Sequence, residues 1–468
     1  MIESNLDQIA EVVAGRVIGD GTCRFRGVGT DTRSELEGRL FIAIPGENHD
    51  GHDHLAAARA AGASAALIES GFVDRGGVLP EGFDVVMVPS VRPALAAMAS
   101  AHRDTLEGVV IGITGSSGKT TVRAMAERVL ALTGAGTASI RSFNNDLGVP
   151  LTILGASKDD AWLLLEIGTN APGEIASLTA IAKPSIGIIT GIGRAHLGGF
   201  GSEASIAAEK ASMLDVIDEV PGGVAIINVD GSVIRPELAR RRDSSLEIIT
   251  CGETDDADRH LDGRAVLATG GQRIRIGEFE ATLSLDGCHN AVNAIAVLEL
   301  GRRLKIDDAA IARVFETLEP PAMRFVRHVV NGVLLIDDTY NANPESMTAA
   351  LATFAEVAAN AERRIVVLGA MYELGEMSQE LHVELGERAA GVAGELVLVG
   401  ESEATDMETG ARASGFTGPV AKFTGVEEAA AFLGPRVRKG DAILFKGSRR
   451  VGLEVIVEGL TKPGEVRA

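Results

Sequence analysis

The chain has 468 residues, 46% of them hydrophobic, which is enough apolar material for about three packed domains. Acidic residues outnumber basic ones by 65 to 44, and the net charge of −21 argues against an extended nucleic-acid surface or an anionic membrane as partner. Three widely spaced cysteines, no signal-like N-terminus and no membrane-length apolar run together predict a cytoplasmic protein without membrane insertion.

The first block, residues 1–106, is predicted to form a small α/β unit. Short runs of β-forming residues at Arg39–Ile44 and Ala65–Ile68 stand on either side of an alanine-rich stretch, Leu55–Ala63, that is typical of a helix. A helix over Val91–Thr105 is expected to lead out of this unit.

The most informative segment comes next, where an apolar run beginning at Val109 enters Gly112-Ile-Thr-Gly-Ser-Ser-Gly-Lys-Thr120 and then a helix-like stretch. Glycines let backbone N–H groups approach an anion, and the N-terminus of a helix adds its positive end. Lys119 and Thr120 supply a cation for phosphates and a hydroxyl for Mg²⁺. The predicted phosphate-binding loop comprises Gly115, Ser116, Ser117, Gly118, Lys119, Thr120 and Thr121. The standard pattern Gly-x-x-x-x-Gly-Lys would place glycine at position 113, where this chain has isoleucine. An ordinary glycine-rich turn is therefore the alternative to a phosphate-binding loop.

The second block, residues 107–320, alternates strand-like and helix-like runs, which predicts a doubly wound parallel sheet. Trp162–Ile167 and Ser185–Thr190 are the predicted buried strands, and a β-rich excursion near 244–286 precedes a helix over Asn290–Leu300. The Glu319–Pro321 segment breaks helix and strand alike and is predicted to be a linker.

Candidate metal ligands follow the strands of this block, at the edge of the sheet where ligands bind in such folds. Glu166 ends one strand, although a salt-bridged strand end would explain it as well. His196 lies in a glycine-rich loop after the next strand, with a backbone-bonded histidine as the alternative. Lys210 falls on a predicted helix over Ser205–Leu214, where the residues alone favour a solvent-exposed helix face.

The third block, residues 321–468, repeats the alternation and predicts a Rossmann-like domain. Its predicted strands lie at 333–338, 364–369, 396–400 and 442–447, and its predicted helices at 347–359 and 381–393. The first of these strands ends in two acids, which Thr-Tyr-Asn-Ala-Asn-Pro344 follows; an Asx-type turn explains the asparagines better than it explains the acids. Lys446–Arg449 follows another strand, where an anion could bind.

In this order, the segments resemble the ATP-dependent Mur ligases of peptidoglycan synthesis, and the resemblance spans nearly the whole chain. It is carried by the phosphate loop and by Thr30–Arg33, Gly46–His52, Asn144–Pro150, Glu166–Asn170, Gly173–Ile175, Ala195–Gly201, His289–Asn293, Asp337–Pro344, Glu373–Gly375 with His382, and Lys446–Arg449. It implies a UDP-binding domain at 1–106, a central ATPase-like domain at 107–320 and a ligase domain at 321–468. The branch it resembles most joins D-alanyl-D-alanine to UDP-N-acetylmuramoyl-tripeptide through an acyl phosphate.

The resemblance also implies roles for individual residues. ATP would be held by the phosphate loop together with Asn290, Asn293, Arg324, Asp338, Tyr340 and Asn341. Two Mg²⁺ ions would be bound by Thr120, Glu166, His196 and Lys210, the last as a carbamylated side chain. The two other substrates would contact Thr30, Asp31, Thr32, Arg33, Asn144, Asn145, Thr169, Asn170, Lys446, Ser448 and Arg449. Lys119, Lys210 and His196 would be catalytic in a monomer that acts on small molecules and binds no nucleic acid.

Three positions depart from the family pattern: Ala370 stands where aspartate is usual, Ala171 where histidine or glutamine is usual, and Met323 where glycine is usual. Two alternatives stay open. One is a sister ligase that adds a single amino acid, or glutamate to folate, and the other is a non-enzymatic nucleotide-binding switch. The sequence does not tell whether the accepted peptide carries diaminopimelate or lysine as its third residue.

Overall fold

The computed structural model describes residues 1–46, 49–140, 143–231 and 233–461. Within these residues the chain forms three principal sheets of five, seven and six strands, which follow one another along the sequence. We name the first, middle and last domains after these sheets. Glu47 and Asn48, in the motif predicted at Gly46–His52, lie outside the described residues.

The first domain is built on a mixed five-stranded sheet. Its strands lie side by side in the order Arg16–Ile18, Asp84–Val88, Ala65–Glu69, Leu40–Ile42 and Val28–Gly29, and all neighbours are parallel except the first pair. A two-stranded antiparallel ribbon joins Glu3–Asn5 to Arg24–Arg26. The helices are Leu6–Val12, Leu55–Ala60, Ser70–Asp74 and Val91–Arg103, with a 3-10 turn at Gly51–His54.

The middle domain contains a seven-stranded sheet in which every pair within the described residues is parallel. In spatial order its strands are Arg259–His260, Glu247–Gly252, Val224–Asn228, Ile186–Ile189, Val109–Thr114, Trp162–Glu166 and Gly136–Ala138. Helices cover both faces, so the central strands are continuous runs of buried Val, Ile and Leu. These helices are Lys119–Leu130, Gly148–Gly155, Glu174–Ala182, Leu197–Phe200, Glu203–Asp218, Arg235–Ala239, Cys288–Arg303 and Asp308–Phe315.

The β-rich excursion predicted near 244–286 includes a small antiparallel sheet of the strands Gly263–Val266, Gln272–Ile276 and Phe279–Leu283. Its apolar face shares a core with the helix Cys288–Arg303, which is buried along most of its length. That helix also packs against Lys119–Leu130, the helix that follows the phosphate loop. The packing therefore places Asn290 and Asn293 beside the loop.

The last domain contains a six-stranded sheet. In spatial order its strands are Val326–Val330, Val333–Asp338, Asp441–Lys446, Arg363–Gly369, Glu395–Val399 and Val420–Phe423, and only the first pair is antiparallel within the described residues. Its helices are Pro344–Val357, Ser378–Ala390, Ser402–Ala413, Val426–Leu433 and Glu454–Thr461, with 3-10 turns at Gly375–Met377, Gly434–Arg436 and Arg449–Val451. None of the helices in the described part of the chain has the length and apolar character needed to cross a membrane.

The linker between the middle and last domains ends in a strained backbone. Met323 and Phe325 adopt φ angles of +61° and +55°, on either side of Arg324. This left-handed conformation costs a residue with a Cβ about 1–2 kcal/mol. The Tyr340 N–H donates to the Met323 carbonyl at 3.1 Å, and Arg449 Nη1 lies 3.2 Å from Met323 Sδ. These contacts hold Met323 in a left-handed backbone conformation, which favours the glycine that the family usually has at this position.

Glycine at position 323 is therefore expected to be better tolerated than alanine. Met323→Ala keeps the Cβ and its strain, whereas Met323→Gly removes it, and both variants lose the thioether. We expect the free energy of unfolding of the Met323→Gly variant to exceed that of the Met323→Ala variant by about 1 kcal/mol in denaturant titrations, after glycine's extra unfolded-state entropy is subtracted. An alanine variant at least as stable as the glycine variant would show that this backbone is not strained.

Candidate active site

The carboxyl ends of parallel strands from the middle and last domains open onto one cleft of about 960 Å³. Most of the residues predicted to bind ATP, metal or substrate line it. They are Ser116, Ser117, Gly118, Lys119, Thr120, Thr121, Asn144, Asn145, Glu166, Thr169, Asn170, His196, Asn290, Asn293, Arg324, Asp338, Tyr340, Asn341, Lys446, Ser448 and Arg449. Residues far apart in the sequence are thus brought together in one cleft.

The predicted substrate residues Thr30–Arg33 do not line this cleft. They lie at the surface of the first domain, and Arg33 Nη2 is 2.8 Å from Asp31 Oδ2. Hydrogen bonds from Arg33 lower the pKa of Asp31 to about 2. A substrate that touched both these residues and the cleft would have to be an extended one.

The phosphate loop has the backbone that its glycines allow. Gly115 and Gly118 adopt φ angles of +146° and +84°, and a Cβ at Gly115 would come 2.0 Å from Thr190 Oγ1. The Ser116 N–H donates to the Gly191 carbonyl at 2.9 Å, which ties the loop to the segment after the neighbouring strand. The helix Lys119–Leu130 starts directly behind the loop, as a phosphate-binding loop requires.

Lys119 folds back over the loop. Its Nζ donates to the Gly115 carbonyl at 2.6 Å, on the cleft side of the helix N-terminus. Burial lowers the pKa of Lys119, the Glu166 carboxylate opposes that shift, and Arg324 adds to it. The ammonium therefore lies where a bound phosphate would compensate for its lost hydration.

Glu166 is the centre of a buried oxygen cluster. Thr120 Oγ1 donates to Glu166 Oε2 at 3.1 Å, and Asn144 Nδ2 donates to Oε1 at 3.0 Å. Arg324, from the last domain, donates to Thr120 Oγ1 at 3.0 Å. Arg123 Nε is 3.9 Å from Oε2, so the salt bridge considered as the alternative is present as a long ion pair, while Thr120 and Asn144 supply the hydrogen bonds to Glu166.

The oxygen ligands of this cluster fit Mg²⁺. Hard cations prefer carboxylate and hydroxyl oxygens, and Mg²⁺ is commonly held by one or two carboxylates together with phosphates and waters. Among the described residues no group of three or more His, Cys, Asp or Glu is placed to hold a metal ion by itself. A site completed by nucleotide phosphates agrees with that finding.

His196 connects the middle and last domains. It has a φ of +61°, and its Nδ1 lies 2.6 Å from Glu373 Oε2. Next to it, the Gly198 N–H donates to the Glu373 carbonyl at 3.1 Å. Burial lowers the pKa of His196, and Glu373 opposes the shift. The imidazole thus has a carboxylate partner from the last domain rather than the backbone partner that the alternative required.

The interpretation of Lys210 as solvent-exposed is wrong, because its exposed fraction is 2%. The helix Glu203–Asp218 packs both on the helix Glu174–Ala182 and on the sheet, so the adjacent Glu209 and Lys210 are both buried. Burial, assisted by the charge of Lys119, lowers the pKa of Lys210 to about 7. Within the described residues, its amine forms no ion pair.

Two asparagines close the cleft behind the phosphate loop. Asn290 Nδ2 donates to the Asp286 carbonyl at 2.8 Å, and Asn293 Nδ2 donates to Asn290 Oδ1 at 3.2 Å. A Cβ at Gly118 would come 3.0 Å from Asn293 Oδ1, so the amide lies against the loop.

Strand ends of the last domain form the opposite wall. Lys446 Nζ lies 2.8 Å from Asp338 Oδ2 and donates to the Asn341 carbonyl at 3.0 Å. Asn343 caps the helix Pro344–Val357 by accepting the Ser346 N–H at 2.8 Å. A local turn therefore explains Asn343, whereas Asp338 is paired with a lysine from another strand.

Three family models match the chain in order: a Mur ligase family catalytic domain over residues 24–103, a Mur ligase middle domain over 113–301 and a Mur ligase glutamate ligase domain over 323–449. The UDP-N-acetylmuramoyl-tripeptide–D-alanyl-D-alanine ligase of Mycobacterium leprae is 33% identical over an alignment that covers 100% of both chains. The chain belongs to the Mur ligase family.

Solved structures agree with this membership. MurF from Acinetobacter baumannii superposes on this Mur ligase with a TM-score of 0.86 at 28% identity, covering 98% of this chain and 99% of that one. MurF ligase from Thermotoga maritima, solved in complex with ADP, gives 0.78 at 29% identity, covering 92% and 96%. The family and the three-domain α/β architecture expected from the motifs are confirmed, while the boundaries at 106 and 320 stay predictions.

Ion pairs between the middle and last domains of this Mur ligase were not predicted. Arg194 reaches two glutamates of the last domain, with Nε 3.2 Å from Glu345 Oε1 and Nη1 2.9 Å from Glu384 Oε2. Arg327 pairs with Asp286 at 2.5 Å on another side of the contact. No local pattern marks these partners, because each pair is formed only when the two domains meet.

Proposed function

We propose that the protein is an ATP-dependent ligase that joins D-alanyl-D-alanine to UDP-N-acetylmuramoyl-tripeptide. One observation carries the proposal: the phosphate loop and the Glu166 oxygen cluster face strand-end groups of a second α/β domain across one cleft. Full-length similarity to ligases of that name supports this choice of substrates. A nucleotide-binding switch would not need the second wall.

The chemistry must overcome the poor electrophilicity of a carboxylate. In the proposed reaction, a carboxylate oxygen of the tripeptide attacks the γ-phosphorus of ATP, and the bond to ADP breaks to give an acyl phosphate. The amine of the dipeptide then attacks the acyl carbon, phosphate leaves and the amine loses a proton. Positioning and charge neutralisation supply most of the acceleration in such transfers.

Seven of the predicted site residues have a role in this scheme. Lys119 would bind the terminal phosphates, and Asn290 and Asn293 would contact the adenine. Thr120, Glu166, His196 and carbamylated Lys210 would hold the two proposed Mg²⁺ ions. When bound, Mg²⁺ neutralises phosphate charge.

Carbamylation of Lys210 would convert a buried cation into an anionic oxygen ligand. The neutral amine nitrogen bonds to the carbon of CO₂, and a proton is released. A pKa of about 7 supports this step, because burial leaves a large neutral fraction at neutral pH. Among the described residues the Lys210 amine has no ion-pair partner, so no salt bridge holds it as an ammonium.

Domain contact would protect the intermediate. An acyl phosphate is lost if water reaches it before the amine does, so the walls of the cleft must stay together during turnover. The Arg194 pairs with Glu345 and Glu384 serve that purpose in this proposal. Because one chain supplies both walls, a monomer suffices, and the three free cysteines fit the reducing cytoplasm.

Release of ADP is expected to require both co-substrates. With ATP and UDP-N-acetylmuramoyl-tripeptide present, D-alanyl-D-alanine should give turnover that D-alanine, L-lysine and L-glutamate do not. The measurement is ADP formed in a coupled assay, with the amide product identified by mass. Equal turnover with any single amino acid would replace the proposal by a sister ligase, and nucleotide binding without turnover would favour a switch.

A further inference from the structure

Arg450 and Tyr372 form a cationic surface on the last-domain wall of the cleft. The Arg450 Cζ lies 4.9 Å from the centroid of the Tyr372 ring, and both side chains line the cleft. The Tyr372 side is open to solvent, with 37% of the residue exposed.

Arg450 differs from the other cations of this wall. Arg388, Lys446 and Arg449 each pair with a carboxylate, at 2.7, 2.8 and 3.1 Å. Arg324 donates to the phosphate loop instead. Within the described residues, Arg450 forms no ion pair, so its charge is left for a ligand in a protein that is otherwise strongly acidic.

Hydrogen bonds fix the backbone of the segment that carries Tyr372. The Tyr372 N–H donates to Ser448 Oγ at 3.1 Å, and the Ser448 N–H donates to the Ala370 carbonyl at 3.1 Å. The buried His382 accepts the Met371 N–H on Nε2 at 2.9 Å. These bonds fix the backbone from which the Tyr372 ring projects. An arginine stacked flat on an aromatic face keeps its N–H edge free for a carboxylate.

We propose that Arg450, held on Tyr372, binds the free carboxylate of the incoming dipeptide. The inference rests on the proposed function and adds to it a binding site for the carboxylate end of the dipeptide. The dipeptide's amine must reach the acyl carbon near the phosphate loop, and its carboxylate lies about 7 Å further along an extended chain of two residues. The ATP phosphates are drawn to Lys119 on the opposite wall, which leaves the dipeptide carboxylate for Arg450.

The test pairs a change in the enzyme with a change in the ligand. Initial rates of the full-length enzyme are measured with D-alanyl-D-alanine and with D-alanyl-D-alaninamide, which lacks the carboxylate charge. Arg450→Gln is compared with the wild type and with Arg436→Gln. Arg436 is a matched control, because it also stacks on an aromatic ring, Phe432, at 3.8 Å but lies outside the cleft.

We expect Arg450→Gln to raise the KM for D-alanyl-D-alanine about tenfold or more, since a hydrogen-bonded charge contact is lost. The KM values for ATP and the tripeptide nucleotide should stay unchanged. The wild-type preference for the dipeptide over its amide should largely disappear in Arg450→Gln and persist in Arg436→Gln. Thermal midpoints equal to the wild type would show that folding is not the cause.

Two results would overturn the assignment. If Arg450→Gln keeps the wild-type preference for the carboxylate, another group recognises it. If only the KM for the tripeptide nucleotide rises, Arg450 binds a carboxylate of that substrate instead. Failure of the wild-type enzyme to use D-alanyl-D-alanine at all is a separate outcome, because it would contradict the proposed function before any variant is compared.

Discussion

Lys119→Ala is expected to lower kcat/KM for ATP at least a hundredfold while leaving the fold intact. The Lys119 ammonium folds over the phosphate loop with its Nζ 2.6 Å from the Gly115 carbonyl, and the side chain lines the cleft. Charge that develops on the transferring phosphoryl group would meet this cation, and removing one such group from a preorganised site costs about 3 kcal/mol or more.

Stability should not fall in this variant. Burial lowers the pKa of Lys119, so the unfolded chain binds its proton more readily than the folded one at neutral pH. The protonated side chain therefore weakens the fold slightly, and alanine removes that cost. The measurements are ADP release and thermal melting. Lys158→Ala is the control, because it makes the same substitution at an exposed lysine. Activity above about a tenth of wild type, with a normal melting curve, would place Lys119 outside the phosphate site.

Lys210→Ala should remove most activity, on the order of a hundredfold, and short carboxylates should restore part of it. The amine is buried and has no ion-pair partner among the described residues, so its truncation leaves a space of the size that a small anion fills. Formate or acetate would supply the oxygen ligand that the carbamate is proposed to provide. The readouts are activity against carboxylate concentration and the Mg²⁺ concentration for half-maximal rate.

Lys210→Arg separates this role from that of a simple cation. Guanidinium keeps its charge and does not take up CO₂ in this way, so this variant should stay inactive with or without acetate. The Lys158→Ala control should be insensitive to acetate. Full activity in Lys210→Arg would end the carbamate proposal and leave Glu166 and His196 as the metal ligands to be defended.

The site could largely be predicted from the rule that ligands bind at the carboxyl ends of parallel strands. Glu166, Asp338 and Lys446 each follow or end an apolar run, and the two sheets bring these runs to one cleft. The rule works because a buried parallel strand is continuously apolar, so the first polar residue after it is conspicuous. The same rule, applied to the ends of the strands Arg363–Gly369 and Asp441–Lys446, would have drawn attention to Tyr372 and Arg450.

Two differences between the sequence predictions and the structure have a physical cause. The edge strands Val326–Val330 and Val420–Phe423 were missed because a half-exposed edge strand mixes polar and apolar residues and lacks the uninterrupted run of a central strand. Lys210 was misjudged because hydrophobic periodicity assumes that a helix buries one apolar face and exposes its charged residues. This helix is covered on two sides, so adjacent charged residues are buried. Both errors come from tertiary packing that a local pattern does not contain.

The hydrogen bond from the Ser116 N–H to the Gly191 carbonyl joins the phosphate loop to a segment that contacts the last domain. The segment that begins at Gly191 also carries Arg194 and His196, whose partners Glu345 and Glu373 belong to the last domain. A ligand that reshapes the phosphate loop therefore acts on the domain contact through five or six residues of backbone. Such coupling is reciprocal: if ATP tightens the hold of the last domain on its ligand, that ligand tightens the hold on ATP by the same factor. This short loop is the structural link through which such cooperativity between co-substrates would act.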